Sequence, residues 1–100
     1  MPIDGDRRSA DALVTGPGVK ALIEAETRID DVQALERRIN AKQRDMRIAR
    51  VILLVADTRH NRVVITQVPA LRVRFPVSTR ACLAALAKAR DPGGDALVLM

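Results

Sequence analysis

Three acidic residues near the start of the chain are of the types found in metal-dependent hydrolytic sites: Asp11, Glu24 and Glu26. The two glutamates alternate within 21-ALIEAETRIDD-31, so on a strand they would share one face. If Asp11 converges on them, the clustered carboxylates repel one another, and a hard cation such as Mg²⁺ would relieve that repulsion. Such an ion could polarise a phosphodiester and generate a hydroxide nucleophile. The alternative is that the glutamates form an ordinary solvated strand face.

A β-hairpin is expected to position these acids. The segment 10-ADALVTGPG-18 predicts a short strand followed by a Gly-Pro-Gly turn, and 19-VKALIEAETR-28 alternates in the manner of a second strand. The alternation divides the second strand into two faces. One face would carry Val19, Ala21, Ile23 and Ala25, and the other would carry Lys20, Leu22, Glu24 and Glu26.

An amphipathic helix of roughly four turns is predicted next, ending near Arg47. Asp30 is the expected N-cap, with Gln33 as its capping-box partner. Asp31 adds negative charge where the helix dipole favours it. The apolar stripe consists of Val32, Leu35, Ile39 and Met46. The basic residues on the other faces are predicted phosphate contacts, and they include Arg37, Arg38, Lys42 and Arg44.

The remainder of the chain predicts one buried strand, further helices and a final strand. The continuous apolar run 51-VILLVA-56 indicates a central strand buried on both faces. The segment 62–75 is compatible with strand or helix. Helix, kinked at Pro69, is favoured because a crossover should follow a parallel strand. Ser78 begins a helix over 79–90, which 91-DPGG-94 ends, and 95–100 is the last strand.

These elements predict an α/β fold in which helices flank a mixed sheet, in the order β-β-α-β-α-α-β. Residues 1–9 are expected to be a flexible leader and residues 10–100 a single α/β domain. The polar N-terminus and the short apolar runs indicate neither a signal peptide nor a membrane span, so a cytoplasmic location is expected.

The charge is unevenly distributed along the chain. The formal net charge is +5, yet residues 1–31 carry four basic and seven acidic residues, and residues 32–100 carry thirteen basic and five acidic residues. The excess of basic residues in 32–100 either forms ordinary solvated surface or binds a nucleic-acid partner through its charge. Phe75 is the only aromatic residue, which argues against stacking on unpaired bases. DNA is therefore the expected partner.

The segment 57-DTRHNR-62 and the single cysteine are weaker candidates for chemistry. His60 and Cys82 are each the only residue of their type, so a Cys/His zinc site and a disulfide within the chain are excluded. Asp57 or Thr58 is expected to cap the following helix. Asp57 and Arg59 remain second-rank site candidates, since open α/β sheets bind ligands at the carboxyl ends of their strands, and Arg59 is also a predicted phosphate contact.

The order of Asp, turn, Glu-x-Glu, long helix and apolar strand resembles the core of the PD-(D/E)XK nuclease superfamily. This resemblance implies that Asp11 and Glu24 bind the metal, with Mg²⁺ as the cofactor. Glu26 stands in the position of the motif lysine and would help to activate water. Some members carry that lysine on the following helix, where Lys42 is the candidate.

A second resemblance covers about Asp11 to Met100. The segments IEAETRIDDVQALERRINAKQRD, VILLVADTRHNR, FPV and ARDPGGDALVLM are similar to the C-terminal domain of actinobacterial helix-turn-helix regulator-like proteins. This second resemblance implies an isolated C-terminal module or a truncated gene product.

Two functions are therefore expected. The first is a nucleic-acid-associated domain with a real or vestigial phosphodiester-hydrolysing site. The alternative is a non-catalytic interaction module that forms a homodimer.

Overall fold

A four-stranded mixed sheet, in the order β1-β2-β3-β4, organises the chain. The computed structural model describes residues 9–16 and 19–100. Strands β1 (Ser9–Gly16) and β2 (Val19–Glu26) form an antiparallel hairpin, as predicted. Strands β2, β3 (Arg50–Val55) and β4 (Ala96–Leu99) run parallel to one another. Most of the predicted leader and the last two residues of the predicted turn lie outside the described residues.

Four helices connect the parallel strands. Helix α1 (Val32–Met46) joins β2 to β3. Helices α2 (Arg59–Gln67), α3 (Pro69–Arg74) and α4 (Thr79–Ala87) lie between β3 and β4. The predicted order of elements is confirmed, and the helix predicted over 62–75 is divided at Val68. The division falls there because Pro69 has no backbone N–H to donate, a property tolerated at the first turn of a new helix.

The N-cap of α1 differs from the prediction by one residue. Asp31, rather than Asp30, accepts a hydrogen bond of 3.0 Å from the backbone N–H of Ala34. Asp30 instead pairs with Nε of Arg28 at 2.7 Å. The chain remains extended through Asp31 because Ile29 is buried and its N–H is bonded to a side chain of α2. The helix therefore begins one residue later, and the expected capping box with Gln33 is wrong.

The core has two parts, one on each face of the sheet. Side chains of α1, α2 and α3 pack on one face, and α4 packs on the other through Cys82. Strand β3 contributes to both parts, with Val51 and Leu53 on the first face and Ile52 on the second. Its predicted burial on both faces is confirmed. Within the described residues, no helix combines the length and apolar character needed to cross a bilayer.

Candidate functional site

Strand β2 presents Glu24 and Glu26 to the face of the sheet that α1 covers. Leu22 lies two residues earlier on the same face and belongs to the core beneath α1. The side chain of Glu24 has no exposed area, and that of Glu26 is 10% exposed. The alternative of an ordinary solvated strand face is therefore wrong for Glu24. Alternation along β2 was predicted correctly, but α1 covers the polar end of this face as well as its apolar end.

Helix α1 supplies the counter-charges for these carboxylates. Arg38 and Lys42 are four residues apart, so they lie on one side of the helix. Nζ of Lys42 is 2.9 Å from Oε2 of Glu24, and Nε of Arg38 is 3.2 Å from Oε1 of Glu24. Nη2 of Arg38 lies 3.1 Å from Oε2 of Glu26. Both oxygens of the buried Glu24 therefore bind a cation, which offsets the cost of removing its charge from water.

Asp11, the third predicted carboxylate, lies across the hairpin from Glu24. The register of β1 and β2 makes these two residues partners, as their proposed convergence requires. The side chain of Asp11 lies outside the described part of the structure. Among the side chains that are described, no three Asp, Glu, His or Cys residues form a group able to hold a metal ion. Each oxygen of Glu24 is bonded to a cation of α1, so a metal ion at Glu24 would share these oxygens or compete for them with Arg38 and Lys42.

The predicted phosphate contacts fall into two groups. Arg38 and Lys42 are directed at the carboxylates of β2. Arg37, Arg44 and Arg59 are exposed. Of these, Arg44 is 77% exposed and lies 3.5 Å from the carboxylate of its neighbour Asp45. Helix α1 thus uses one side to neutralise buried acids and another side to carry surface charge.

A small cleft of about 160 Å³ opens beside the ion pair of Glu26 and Arg38. It lies where β2 ends and α1 begins, and Arg28, Asp30 and Asp31 also line it. Cationic and anionic side chains are mixed around this cleft, so its lining does not select a ligand of one charge.

Asn61 is a buried polar residue that the sequence did not indicate. Its side chain has no exposed area and makes three hydrogen bonds of 2.9 Å to backbone groups. Nδ2 donates to the carbonyl oxygens of Thr27 and Ala56, and Oδ1 accepts from the N–H of Ile29. Asn61 thereby fixes the segments that follow β2 and β3. No local pattern reveals this role, because two of its three partners, Thr27 and Ile29, lie 34 and 32 positions earlier.

Thr58, His60 and Asp57 of the same segment make structural contacts as well. Thr58 is the N-cap of α2, accepting a hydrogen bond of 3.2 Å from the N–H of Asn61. Nε2 of His60 lies 2.8 Å from the carbonyl oxygen of Ile29. Asp57 pairs with Nε and Nη2 of Arg62, and the hydrogen bond from Arg62 lowers the pKa of this carboxyl. The carboxyl of Asp57 is therefore engaged in an ion pair with Arg62, which accounts for it without a bound ligand.

The thiol of Cys82 is inaccessible. Its side chain is buried between α4 and the sheet, and desolvation raises the pKa of the thiol above its ordinary value. Because the thiolate is the nucleophilic form, both effects oppose a catalytic role.

These observations define an α/β domain in which a buried glutamate on β2 is neutralised by two cations from the following helix. Comparisons of the chain with protein-family models, with curated proteins and with solved structures find no match. The nuclease-like and regulator-like resemblances therefore remain predictions, and the function is argued from the site.

Proposed function

We propose that this chain is a nucleic-acid-associated α/β domain with a PD-(D/E)XK-like core whose carboxylate site is vestigial. The observation that carries the proposal is the 2.9 Å contact between Glu24 and Lys42. The resemblance implies an acid on each of two neighbouring strands and, in some members, a lysine on the next helix. Asp11 and Glu24 are register partners, and Lys42 reaches Glu24 from α1.

The electrostatics of the cluster favour a site that no longer needs a metal ion. Two carboxylates, those of Glu24 and Glu26, face two cations, those of Arg38 and Lys42. The formal charges of these four side chains cancel, so Asp11, the register partner of Glu24, is the one predicted site carboxylate that this balance does not include. A divalent cation is attracted to a carboxylate group with an excess of negative charge, and here it would have to displace a guanidinium or an ammonium group.

Surface charge supports a nucleic-acid partner. The chain carries a formal net charge of +5, and the arginines that are not engaged with the buried carboxylates include several exposed ones. Phe75, the only aromatic residue, is fully buried. Stacking on unpaired bases is therefore unsupported, whereas contact with the phosphates of a duplex needs only cations.

Binding and cleavage of duplex DNA should be measured separately on the full chain. Fluorescence polarisation with a labelled duplex is expected to show affinity that falls as salt rises. Incubation of the same duplex with Mg²⁺ or Mn²⁺ is expected to leave it intact. Cleavage that depends on the metal and is lost in Glu24→Gln would contradict a vestigial site. The absence of any binding at low salt would contradict the nucleic-acid partner.

Metal-dependent phosphodiester hydrolysis is the second candidate. The register that pairs Asp11 with Glu24 favours it, because these are the two metal ligands that the resemblance implies. In that case Glu26 would help to activate water, and nearby arginines would neutralise phosphate charge. This function requires Glu24 to bind the metal beside, or in place of, Arg38 and Lys42.

The alternative to a nucleic-acid-associated domain is a non-catalytic module, of the regulator-like type, that forms a dimer. It is favoured by the second face of the sheet, where Val19, Ile23 and Leu54 are only partly buried. Covering that face with a second copy would remove apolar surface from water, and symmetric dimers are the commonest assemblies. Sedimentation of the full chain at micromolar concentration tests it, and a monomer would contradict it. A cytoplasmic location is part of the same proposal.

A further inference from the structure

The segment from Thr58 to Arg90 contains no acidic residue but has seven basic residues. This segment forms α2, α3 and α4. Three of its arginines, Arg59, Arg62 and Arg72, are exposed on α2 and α3. These two helices lie on the same face of the sheet as α1, and α4 lies on the other. Part of the positive charge of this segment therefore lies on the face of the sheet that α1 also covers, and the rest lies on the opposite face with α4.

Two adjoining clefts connect these three arginines. The first, about 260 Å³, lies along the outer side of α2 between Arg59 and Arg62. The second, about 160 Å³, lies between α2, α3 and the end of β4, and Arg62 and Arg72 line it. Arg62 and Thr66 line both clefts, so the surface is continuous. We call this surface, formed by Arg59, Arg62, Thr66 and Arg72, the α2–α3 surface.

The α2–α3 surface carries more uncompensated charge than the outer side of α1. Arg59 and Arg72 make no ion pair with any residue that the structure describes, and Arg62 pairs with Asp57. Three arginines and one acid leave a formal charge of +2. On α1 and its C-cap, Arg37, Arg44 and Arg47 are accompanied by Glu36 and Asp45, which leaves +1. Arg38 and Lys42 add nothing there, because they face Glu24.

We infer that the α2–α3 surface, rather than α1, contacts the phosphate backbone of duplex DNA. This inference rests on the proposed function and assigns its nucleic-acid contact to named residues. Arginine suits this role because its guanidinium group binds phosphate through two parallel hydrogen bonds. Arg59 lines the first cleft, Arg72 lines the second and Arg62 lines both, so each of the three arginines borders a cleft.

Salt-dependent binding by matched double variants of the full chain tests the assignment. Arg59→Ala with Arg72→Ala removes two unpaired cations of the α2–α3 surface, and Arg37→Ala with Arg44→Ala removes two exposed cations of α1. The slope of log affinity against log salt is expected to fall in magnitude by about 1.8 for the first pair, about 0.9 for each lost phosphate contact. The α1 pair is expected to keep the slope of the parent chain. Thermal melting of both variants checks that they remain folded, since all four side chains are exposed.

Each other result has a distinct meaning. If only the α1 variant lowers the slope, the assignment to α2–α3 is overturned and the proposed nucleic-acid function stands. If the parent chain shows no salt-dependent binding to the duplex, the proposed function and the assignment both fail. Binding to vesicles of anionic lipid without binding to DNA would also overturn the inference, in favour of a membrane surface as the partner.

Discussion

The side-chain oxygen of Asn61 accepts a hydrogen bond of 2.9 Å from the backbone N–H of Ile29, 32 positions earlier. Ile29 itself is buried, at 1% exposure, in the core beneath α1. This bond therefore ties the start of α2 to the loop from which α1 begins. Since α1 carries the two cations that neutralise Glu24, the geometry of the carboxylate cluster depends on a residue outside it.

Replacing Asn61 by Ala should strongly destabilise the fold. The change would leave the buried N–H of Ile29 without its side-chain partner and would remove one hydrogen bond from each of the carbonyl oxygens of Thr27 and Ala56. We expect the free energy of unfolding to fall by about 2–4 kcal/mol, since an unsatisfied buried group costs roughly 1–3 kcal/mol and each lost hydrogen bond adds to that cost. Urea denaturation measures this. Gln67→Ala, an exposed change on the same helix, is the control and should stay within about 0.5 kcal/mol of the parent. Equal stability of both variants would contradict the structural role of Asn61.

Glu24→Gln should lower stability, in contrast to the gain that simple repulsion among the acids would give. The change removes the negative charge to which Arg38 and Lys42 are bonded. The expected loss is about 1–3 kcal/mol, below the 3–5 kcal/mol of a fully buried pair, because both cations can reach solvent.

A double-mutant cycle with Lys42→Met isolates the Glu24–Lys42 pair. We expect a coupling of roughly 0.5–3 kcal/mol, the range for residues in direct contact. Additive effects of the two changes would show that the 2.9 Å contact contributes nothing to stability.

Divalent cations should leave the melting temperature unchanged. Both oxygens of Glu24 are already bonded to cations of α1, so Mg²⁺ or Mn²⁺ has to compete with them. A functioning site at one hundred times its dissociation constant would add about 2.7 kcal/mol, or roughly 10–20 °C for a domain of this size. Thermal melting with and without each metal decides between these outcomes. A rise that Glu24→Gln abolishes and Asp45→Asn retains would favour the hydrolytic candidate.

Stability should decrease as the pH falls below about 4, partly through Asp91. The hydrogen bond from Arg50, together with that from the backbone N–H of Gly93, lowers the pKa of this carboxyl in the folded state. An aspartate whose folded pKa is below its unfolded value of about 3.9 contributes stability above that value. The contribution is lost as the pH falls through the folded pKa. Titration of the carboxyl carbon by NMR should show a higher pKa for Asp91 in Arg50→Gln. Arg59→Gln is the control, because it removes no ion pair. An equal rise of the Asp91 pKa in that variant would contradict Arg50 as the cause of the lowered pKa.

Local pattern predicted most of the secondary structure. Alternation identified β2, the continuous apolar run identified β3, Ser78 was correctly placed at a helix start, and Thr58 is one of the two N-caps predicted for α2. These predictions succeed because periodicity and capping depend on residues only a few positions apart. The N-cap of α1 was missed by one residue because a long-range bond, from Ile29 to Asn61, holds the preceding loop extended.

Only the tertiary structure decided what the carboxylates do. The sequence placed Glu24 and Glu26 on one face of a strand, which suits a solvated face, a metal site and a buried ion cluster equally well. The partners of Glu24 lie 14 and 18 positions later, on α1, and their i, i+4 spacing was the one local sign that they could act together. Burial and ion pairing depend on which helix packs over which strand. That packing is set by the hydrophobic contacts of the whole core, which no short segment specifies.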